Sequence, residues 1–243
     1  MKQAIKKLFI KVSSIGNYLW FVKVFGKKGD LNLKQANVFI FFELLAKGPV
    51  NFIQIGANDG AKNDPIHEYI KKYKWIGILV EPLPEFFKRL QENYKGQDQL
   101  TFENVGIGDK DGELNFYFMP PEYNEPDWLQ QIGTFDRHSI EFNLNAYPQL
   151  ISKIATEKKP LMSWKTLLEK NKVQKIDLLL IDAEGFEYVI LKQMDDYPVK
   201  PSYVFFEWGC LEKETLDLLL AFLTKRNYQI YSCGSDILAV LNK

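Results

Sequence analysis

The sequence predicts an α/β chain: a mostly parallel sheet with helices on both faces and an antiparallel terminal strand. Three observations carry this. Short apolar runs, such as those at 50–55, 75–80 (WIGILV) and 176–181 (IDLLLI), read as buried strands. Helix-length segments separate them, so strand and helix alternate along most of the chain. The last two runs, 228–233 and 236–241, are joined only by Gly234-Ser235, which makes a hairpin and hence an antiparallel partner.

The elements follow in order. Residues 33–46 have helical spacing, and Gly48-Pro49 stops them. A strand over 50–55 enters the loop Gly56-Ala57-Asn58-Asp59-Gly60. Asp64-Pro65 is a helix start, a capping carboxylate followed by a residue that suits the first helical position. Strand 75–80 ends in Glu81-Pro82, helix 84–94 follows, and then strand 100–107. Asp111-Gly112 is a turn before an added strand at 113–118. Residues 119–160, rich in Pro, Asn and aromatics, show weak periodicity and read as an insertion or lid. Helix 163–171, strand 176–181, helix 184–194, strand 202–207 and helix 211–226 lead to the terminal hairpin. Residues 1–49 form a helical extension in this reading, and 50–243 the main domain.

With 46% hydrophobic and 14% aromatic residues among 243, the chain has ample material for a core. Cys210 and Cys233 make neither a metal spacing nor a disulfide framework, as expected of free thiols in a reducing compartment. Net charge is zero but unevenly placed. Residues 1–29 hold seven Lys and no acid, which leaves the remainder with a balance of −7. An acidic body disfavours a polynucleotide substrate. Lys11 interrupts the first apolar stretch, so it makes no clear signal peptide, and no run is long enough to span a bilayer. The expectation is a cytoplasmic protein. Ile5, Leu8, Phe9, Val12, Ile15 and Leu19 follow helical spacing beside the lysines. Residues 1–29 could thus make a peripheral contact at the inner face of the membrane, or pack on the domain or a second subunit.

In an open α/β sheet, ligands sit beyond the carboxyl ends of the strands. The first strand is followed by glycines four apart, Gly56 and Gly60, without the middle glycine of a dinucleotide loop. That turn suits a ligand without phosphates passing close to the backbone. Glu81, about 20 residues past the loop, can accept hydrogen bonds from both hydroxyls of a ribose. Loop and acid together point to adenosine.

These stretches, with the Asp64-Pro65 pair, FENVGIGDKDG at 102–112 and IDLLLIDAEGFEYVIL at 176–191, resemble the FkbM family of S-adenosylmethionine (SAM)-dependent methyltransferases. The resemblance covers about 50–208. It implies a class I methyltransferase, Rossmann-like fold with a seven-stranded sheet, SAM as cofactor, and usually O-methylation. It implies that Gly56 and Gly60 shape the SAM loop and that Glu81 binds ribose, with Gln54, Ala57, Asn58, Pro82 and Gly106 around the cofactor. One departure matters: many methyltransferases carry an acid where Gln54 stands, and an amide cannot pair ionically with the SAM ammonium.

Asp182 ends the strand at 176–181 and points into the site in this reading. Glu184 and Glu187, three apart, share one face of the following turn, where acids also complement the helix dipole. Glu207 ends the neighbouring strand, about 4.8 Å away in a sheet, so Asp182 and Glu207 could converge. Two carboxylates there could accept a proton, orient a sugar or bind a divalent cation such as Mg²⁺. His138, in the lid, is a candidate general base. Tyr123, Trp128, Phe135 and Phe142 could stack on a sugar. The predicted activity is methyl transfer to a hydroxyl of a small-molecule or glycan acceptor. The competing reading is a non-catalytic binding protein on the same fold.

Overall fold

The computed structural model describes residues 20–26 and 29–242. Two strands, Trp20–Gly26 (β1) and Gly29–Gln35 (β2), pair as an antiparallel hairpin in register from Trp20↔Gln35 to Gly26↔Gly29. The helical extension predicted over 1–49 therefore gives way to strands at 20–35, and its helix begins only at Val38 (α1, Val38–Leu45). The run Trp20-Phe21-Val22-Lys23-Val24-Phe25 accounts for this, because aromatic and β-branched residues favour extended backbone. Asn37 caps α1, its Oδ1 accepting the Ile40 amide at 3.1 Å. The amphipathic stretch from Ile5 to Leu19 lies outside the described residues.

Beyond α1 the chain alternates: β3 (Asn51–Ile55), α2 (His67–Tyr73), β4 (Ile76–Val80), α3 (Pro84–Asn93) and β5 (Leu100–Glu103). After β5 come β6 (Gly106–Gly108), β7 (Gly112–Phe118), α4 (Arg137–Asn143) and β8 (Ala155–Ser163). The alternation then resumes with α5 (Trp164–Lys170), β9 (Leu178–Ile181), α6 (Glu187–Leu191), β10 (Tyr203–Glu207) and α7 (Lys213–Lys225), and closes with β11 (Tyr228–Cys233) and β12 (Asp236–Leu241).

The main sheet has the order β1-β2-β11-β12-β10-β9-β3-β4-β5. Strands β5, β4, β3, β9 and β10 are parallel, and β12 runs antiparallel between β10 and β11. The seven strands from β11 to β5 are the predicted sheet, and the hairpin β1-β2 extends it through a short parallel contact of β2 with Tyr231 and Ser232. Strand β9 shows why its sequence is uniformly apolar. Leu179 and Ile181 pack in one core, Leu178 and Leu180 in the core on the opposite face. Helices cover both faces, so neither set of side chains meets water. Strand β3 obeys the same rule with one exception: Gln54 is buried to 3% exposure.

The predicted strand 100–107 splits after Glu103, and β6 leaves to join a separate three-stranded sheet of order β6-β8-β7. Strand β8 pairs with β7 from Gly112↔Leu161 to Phe118↔Ala155. It was hidden in the predicted lid because its run, Ala-Thr-Glu-Lys-Lys-Pro-Leu-Met-Ser, is mostly polar until Leu161. Between the two strands, Met119, Leu129, Ile132, Ile140 and Leu144 make a small core of their own. The insertion is thus a packed subdomain seated above the carboxyl ends of the parallel strands. Among the described residues no helix is long and apolar enough to cross a membrane.

Candidate functional site

The site grows from the turn after β3. Gly56 has φ +79°, and a Cβ on it would stand 1.7 Å from the carbonyl oxygen of Asp182. Only glycine permits the two loops to approach this closely. The amides of Gly56 and Ala57 both donate to the Val80 carbonyl at 3.0 Å, which folds the loop over the end of β4. Asn58 follows at φ +48°. Gly60, at φ +68°, faces the other way: a Cβ there would collide with Leu90 and Tyr94. It makes room for α3 and does not line the cavity.

Glu81 ties this loop to the next one. Its Oε2 accepts the Asn58 amide at 2.9 Å and its Oε1 the Leu83 amide at 2.8 Å. Asn104 adds a bond from its Nδ2 to the Glu81 carbonyl at 2.8 Å. Burial, opposed by those two amides and reinforced by the charge of Asp182, pushes the Glu81 carboxyl up to about 7. Each carboxylate oxygen has accepting capacity left beyond the one amide it binds.

That cavity holds about 530 Å³. Gln54, Gly56, Ala57, Asn58, Glu81 and Pro82 line it, as do Gly106, Asp182 and Glu184. Val105, Ile107, Phe116 and Phe135 form an apolar wall. Phe135 is fixed there by edge contact with Phe116, ring centroids 4.8 Å apart. Tyr123 and Trp128 do not reach the cavity; they pack against the insertion's own core.

The second half of the site is acidic. Glu184 and Gly185 both take positive φ, +49° and +101°, so the chain turns sharply after Asp182. Glu187 holds this turn, its carboxylate accepting the amides of Ala183 (2.9 Å) and Gly185 (3.0 Å). Its role is thus to shape the loop, and burial first of all pushes it up to about 8. Glu184 accepts from Asn143 Nδ2 at 2.9 Å and from the Cys210 thiol at 3.1 Å. Desolvation within the packed acidic cluster, and the charges of the neighbouring acids, drive Asp182, Glu184 and Glu207 above the ordinary carboxylate range, although Asp182 is the most exposed of the three. Asp182 is the member left open: its carboxylate meets the cavity, and none of the described residues donates a hydrogen bond to it.

The charge of Asp182 acts on Glu207, as the convergence expected of two neighbouring strand ends requires. Among the described residues, the metal-ligating atoms that gather as a group of three within 4.8 Å belong to Glu184, Glu207 and Cys210, a mixed oxygen and sulfur set. Glu207 itself does not line the cavity. In register it stands opposite Asp236, the first residue of β12. His138 is also displaced. Its side chain is 65% exposed, its Nε2 lies 3.0 Å from Glu212 Oε1, and it does not line the cavity. Asp136 caps α4 through the His138 amide, and this leaves the ring on the outer side of the helix.

Two residues of the site are given no ligand role by the sequence. Asp236 lines the cavity because the Gly234-Ser235 turn delivers it beside the end of β10. Asp64 lines it as well, although the sequence marked it as a helix cap and as half of the family-like Asp64-Pro65 pair, without a role at the ligand. Its Oδ1 does cap, accepting the amides of Ile66 (2.7 Å) and His67 (2.9 Å), but its Oδ2 accepts from Gln54 Nε2 at 2.8 Å. The offset of ten positions between Gln54 and Asp64 was the only trace of that meeting.

A family model, the methyltransferase FkbM domain, matches residues 54–230. The chain belongs to the FkbM methyltransferase family. Among its relatives, the 2-O-methyltransferase NoeI of Sinorhizobium fredii (strain NBRC 101917 / NGR234) is 22% identical over 187 residues, 74% of each chain. The crystal structure of methyltransferase FkbM from Methylobacillus flagellatus KT is 15% identical with a TM-score of 0.47, over 79% of this chain and 43% of that one. The chain therefore spans less than half the length of that protein. The methyltransferase PaMTH1 of Podospora anserina, solved with S-adenosylhomocysteine (SAH), is 11% identical with a TM-score of 0.45, over 85% of this chain and 76% of that one.

The seven-stranded order, with β12 antiparallel beside β10, is that of class I SAM-dependent methyltransferases. The FkbM cavity fits SAM by its own chemistry. It offers a ribose acceptor in Glu81, an apolar wall for an adenine, and a buried carbonyl oxygen, Gln54 Oε1, which lacks a donor among the described residues.

Proposed function

We propose that this chain transfers a methyl group from SAM to a hydroxyl oxygen of a sugar or glycan intermediate. The observation that carries the reading is the open carboxylate of Asp182, set at the end of β9 between the glycine loop and the acidic cluster. The name of the relative, a 2-O-methyltransferase, points the same way.

The chemistry SAM supplies when bound is a methyl group already activated on a sulfonium, so the protein has little covalent work to do. Glu81 would hold the ribose hydroxyls, and Gly56–Asn58 would shape the floor. Asp182 would orient the acceptor hydroxyl and take its proton as the new carbon–oxygen bond forms. Desolvation in the cavity wall and the neighbouring acids raise the proton affinity of Asp182, which makes it a better base than an isolated aspartate. The insertion above the strands would exclude water.

The test is methyl transfer from SAM labelled in its methyl group to a panel of mono- and oligosaccharides, with the product mapped by mass spectrometry. A labelled methyl ether on a sugar is the expected product. Label in nitrogen or carbon, or SAM binding without turnover on any hydroxyl compound, would overturn the reading; the second outcome would favour a binding protein on this fold.

A further inference from the structure

Gln54 is the one polar side chain among the inward residues of β3, and it poses a problem that the rest of the site does not solve. At 3% exposure it cannot be satisfied by bulk solvent. Its Nε2 is spent on Asp64 at 2.8 Å, while its Oε1 is buried with no donor among the described residues. A buried acceptor left unpaired is costly, so such atoms generally mark a missing partner. Asp64 has the complementary deficit. Its two oxygens take three neutral N–H donors, from Gln54, Ile66 and His67. Among the described residues no lysine or arginine pairs with it: Lys62, the lysine lining the same cavity, is engaged with Asp127 at 2.6 Å, and the one cationic group that acts on Asp64 is the His67 imidazole, whose Nδ1 is tied to the Gly60 carbonyl at 2.5 Å. Two adjacent cavity-lining acceptors, one of them charged, call for a cation that donates more than one hydrogen bond. A primary ammonium has three N–H donors.

We propose that Asp64 and Gln54 together bind the amino-acid ammonium of SAM, with Asp64 supplying the charge that the residue at the end of β3 cannot. This rests on the SAM reading above and adds a specific subsite to it. The charge has moved ten positions along the chain and returns through the 2.8 Å amide bridge. Asp64 is then a binding residue as well as a helix cap. Its two oxygens divide the tasks, Oδ1 toward α2 and Oδ2 toward Gln54 and the ligand.

Calorimetry on the full chain tests this with three probes: SAH, the SAH analogue in which hydrogen replaces the ammonium, and 5′-methylthioadenosine, which lacks the whole amino-acid arm. In the wild type, SAH is expected to bind about tenfold or more tighter than the deaminated analogue, the size of a charged hydrogen-bonded contact. Asp64→Asn should collapse that ratio to about threefold or less while leaving methylthioadenosine affinity unchanged. Asp64→Ser, which keeps a capping oxygen for Ile66 and His67, should do the same and serves if the first variant fails to fold. The exchange Gln54→Glu with Asp64→Asn should restore the ratio by returning the charge to β3. A wild-type ratio near one, or a ratio that survives both single variants, would overturn the inference. If the wild type binds none of the three probes, the SAM reading itself fails, which is a different result from SAH binding that is indifferent to Asp64.

Discussion

The carbonyl oxygen of Asp182 occupies the place where a side chain on Gly56 would begin, 1.7 Å from the ideal Cβ position. The two residues end adjacent parallel strands, and their backbones meet directly. The sequence alone suggests that a larger residue at 56 would fill space belonging to the ligand. The structure puts the conflict inside the protein. Gly56→Ala should therefore destabilise the ligand-free chain by about 3 kcal/mol or more, because backbone cannot step aside as a side chain can and the positive φ adds strain. Thermal unfolding without SAM checks it; a melting temperature within about 2 °C of wild type would refute it.

Glu81 makes stability depend on pH in a defined direction. Its folded carboxyl titrates near 7 against an ordinary 4.5, so between those values the folded chain holds a proton that the unfolded chain has released. Its contribution is fully present below about 4.5, is lost as pH rises to about 7, and stays level above. Glu187, pushed up to about 8, extends the same decline by another unit. Melting temperature should therefore fall as pH rises from 5 to 8, and Glu81→Gln should flatten the lower part of that slope. The same variant should weaken SAM binding by about 1.5 kcal/mol or more.

Asp182→Asn should lower kcat by about 10² to 10⁴ while leaving SAM affinity within about threefold. In the wild type, kcat/KM should rise with pH through the ionisation of this carboxyl, at a value above the usual aspartate range because it is partly desolvated in the cavity wall and faces the charges of Asp236 and Asp64. A pH profile in Asp182→Asn that keeps the same rising limb would assign the base elsewhere.

His138→Ala should leave methyl transfer within about twofold of wild type, since a side chain 65% exposed and paired with Glu212 is remote from the cavity lining. A hundredfold loss measured under saturating SAM would place the imidazole in the reaction after all.

The Cys210 thiol should react slowly. Burial raises its pKa, and the charges of Glu184 and Glu207 raise it further, so almost no thiolate forms at neutral pH. Labelling by iodoacetamide at pH 8 should run at least about tenfold slower than for free cysteine, and Glu184→Gln should speed it.

The parallel core was legible because its strands are short apolar runs with glycine or acid at their carboxyl ends. Leu178–Ile181 could be nothing but a strand covered on both faces, and Glu81 and Asp182 followed from position. What escaped depends on contacts distant in sequence. Strand β8 is polar because half of it faces outward over a small sheet, and nothing within Ala155–Ser163 announces its pairing with β7. Asp64 looked like a cap because it is one; its second oxygen reveals the other task only when α2 folds back on β3. His138 was placed in the site by its neighbourhood in sequence, and its exposed ring pairs with Glu212 instead; Glu207 stays in the acidic cluster with Glu184 but does not line the cavity.

The bonds from Glu81 to the Asn58 and Leu83 amides are made entirely within the protein, and they bear on timing as well as affinity. Both loops that would receive the adenosine are already fastened in position, so little ordering remains to be done when the cofactor arrives. Capture then proceeds as a single encounter with a preassembled cradle, and differences between nucleoside ligands express themselves in how long each one stays.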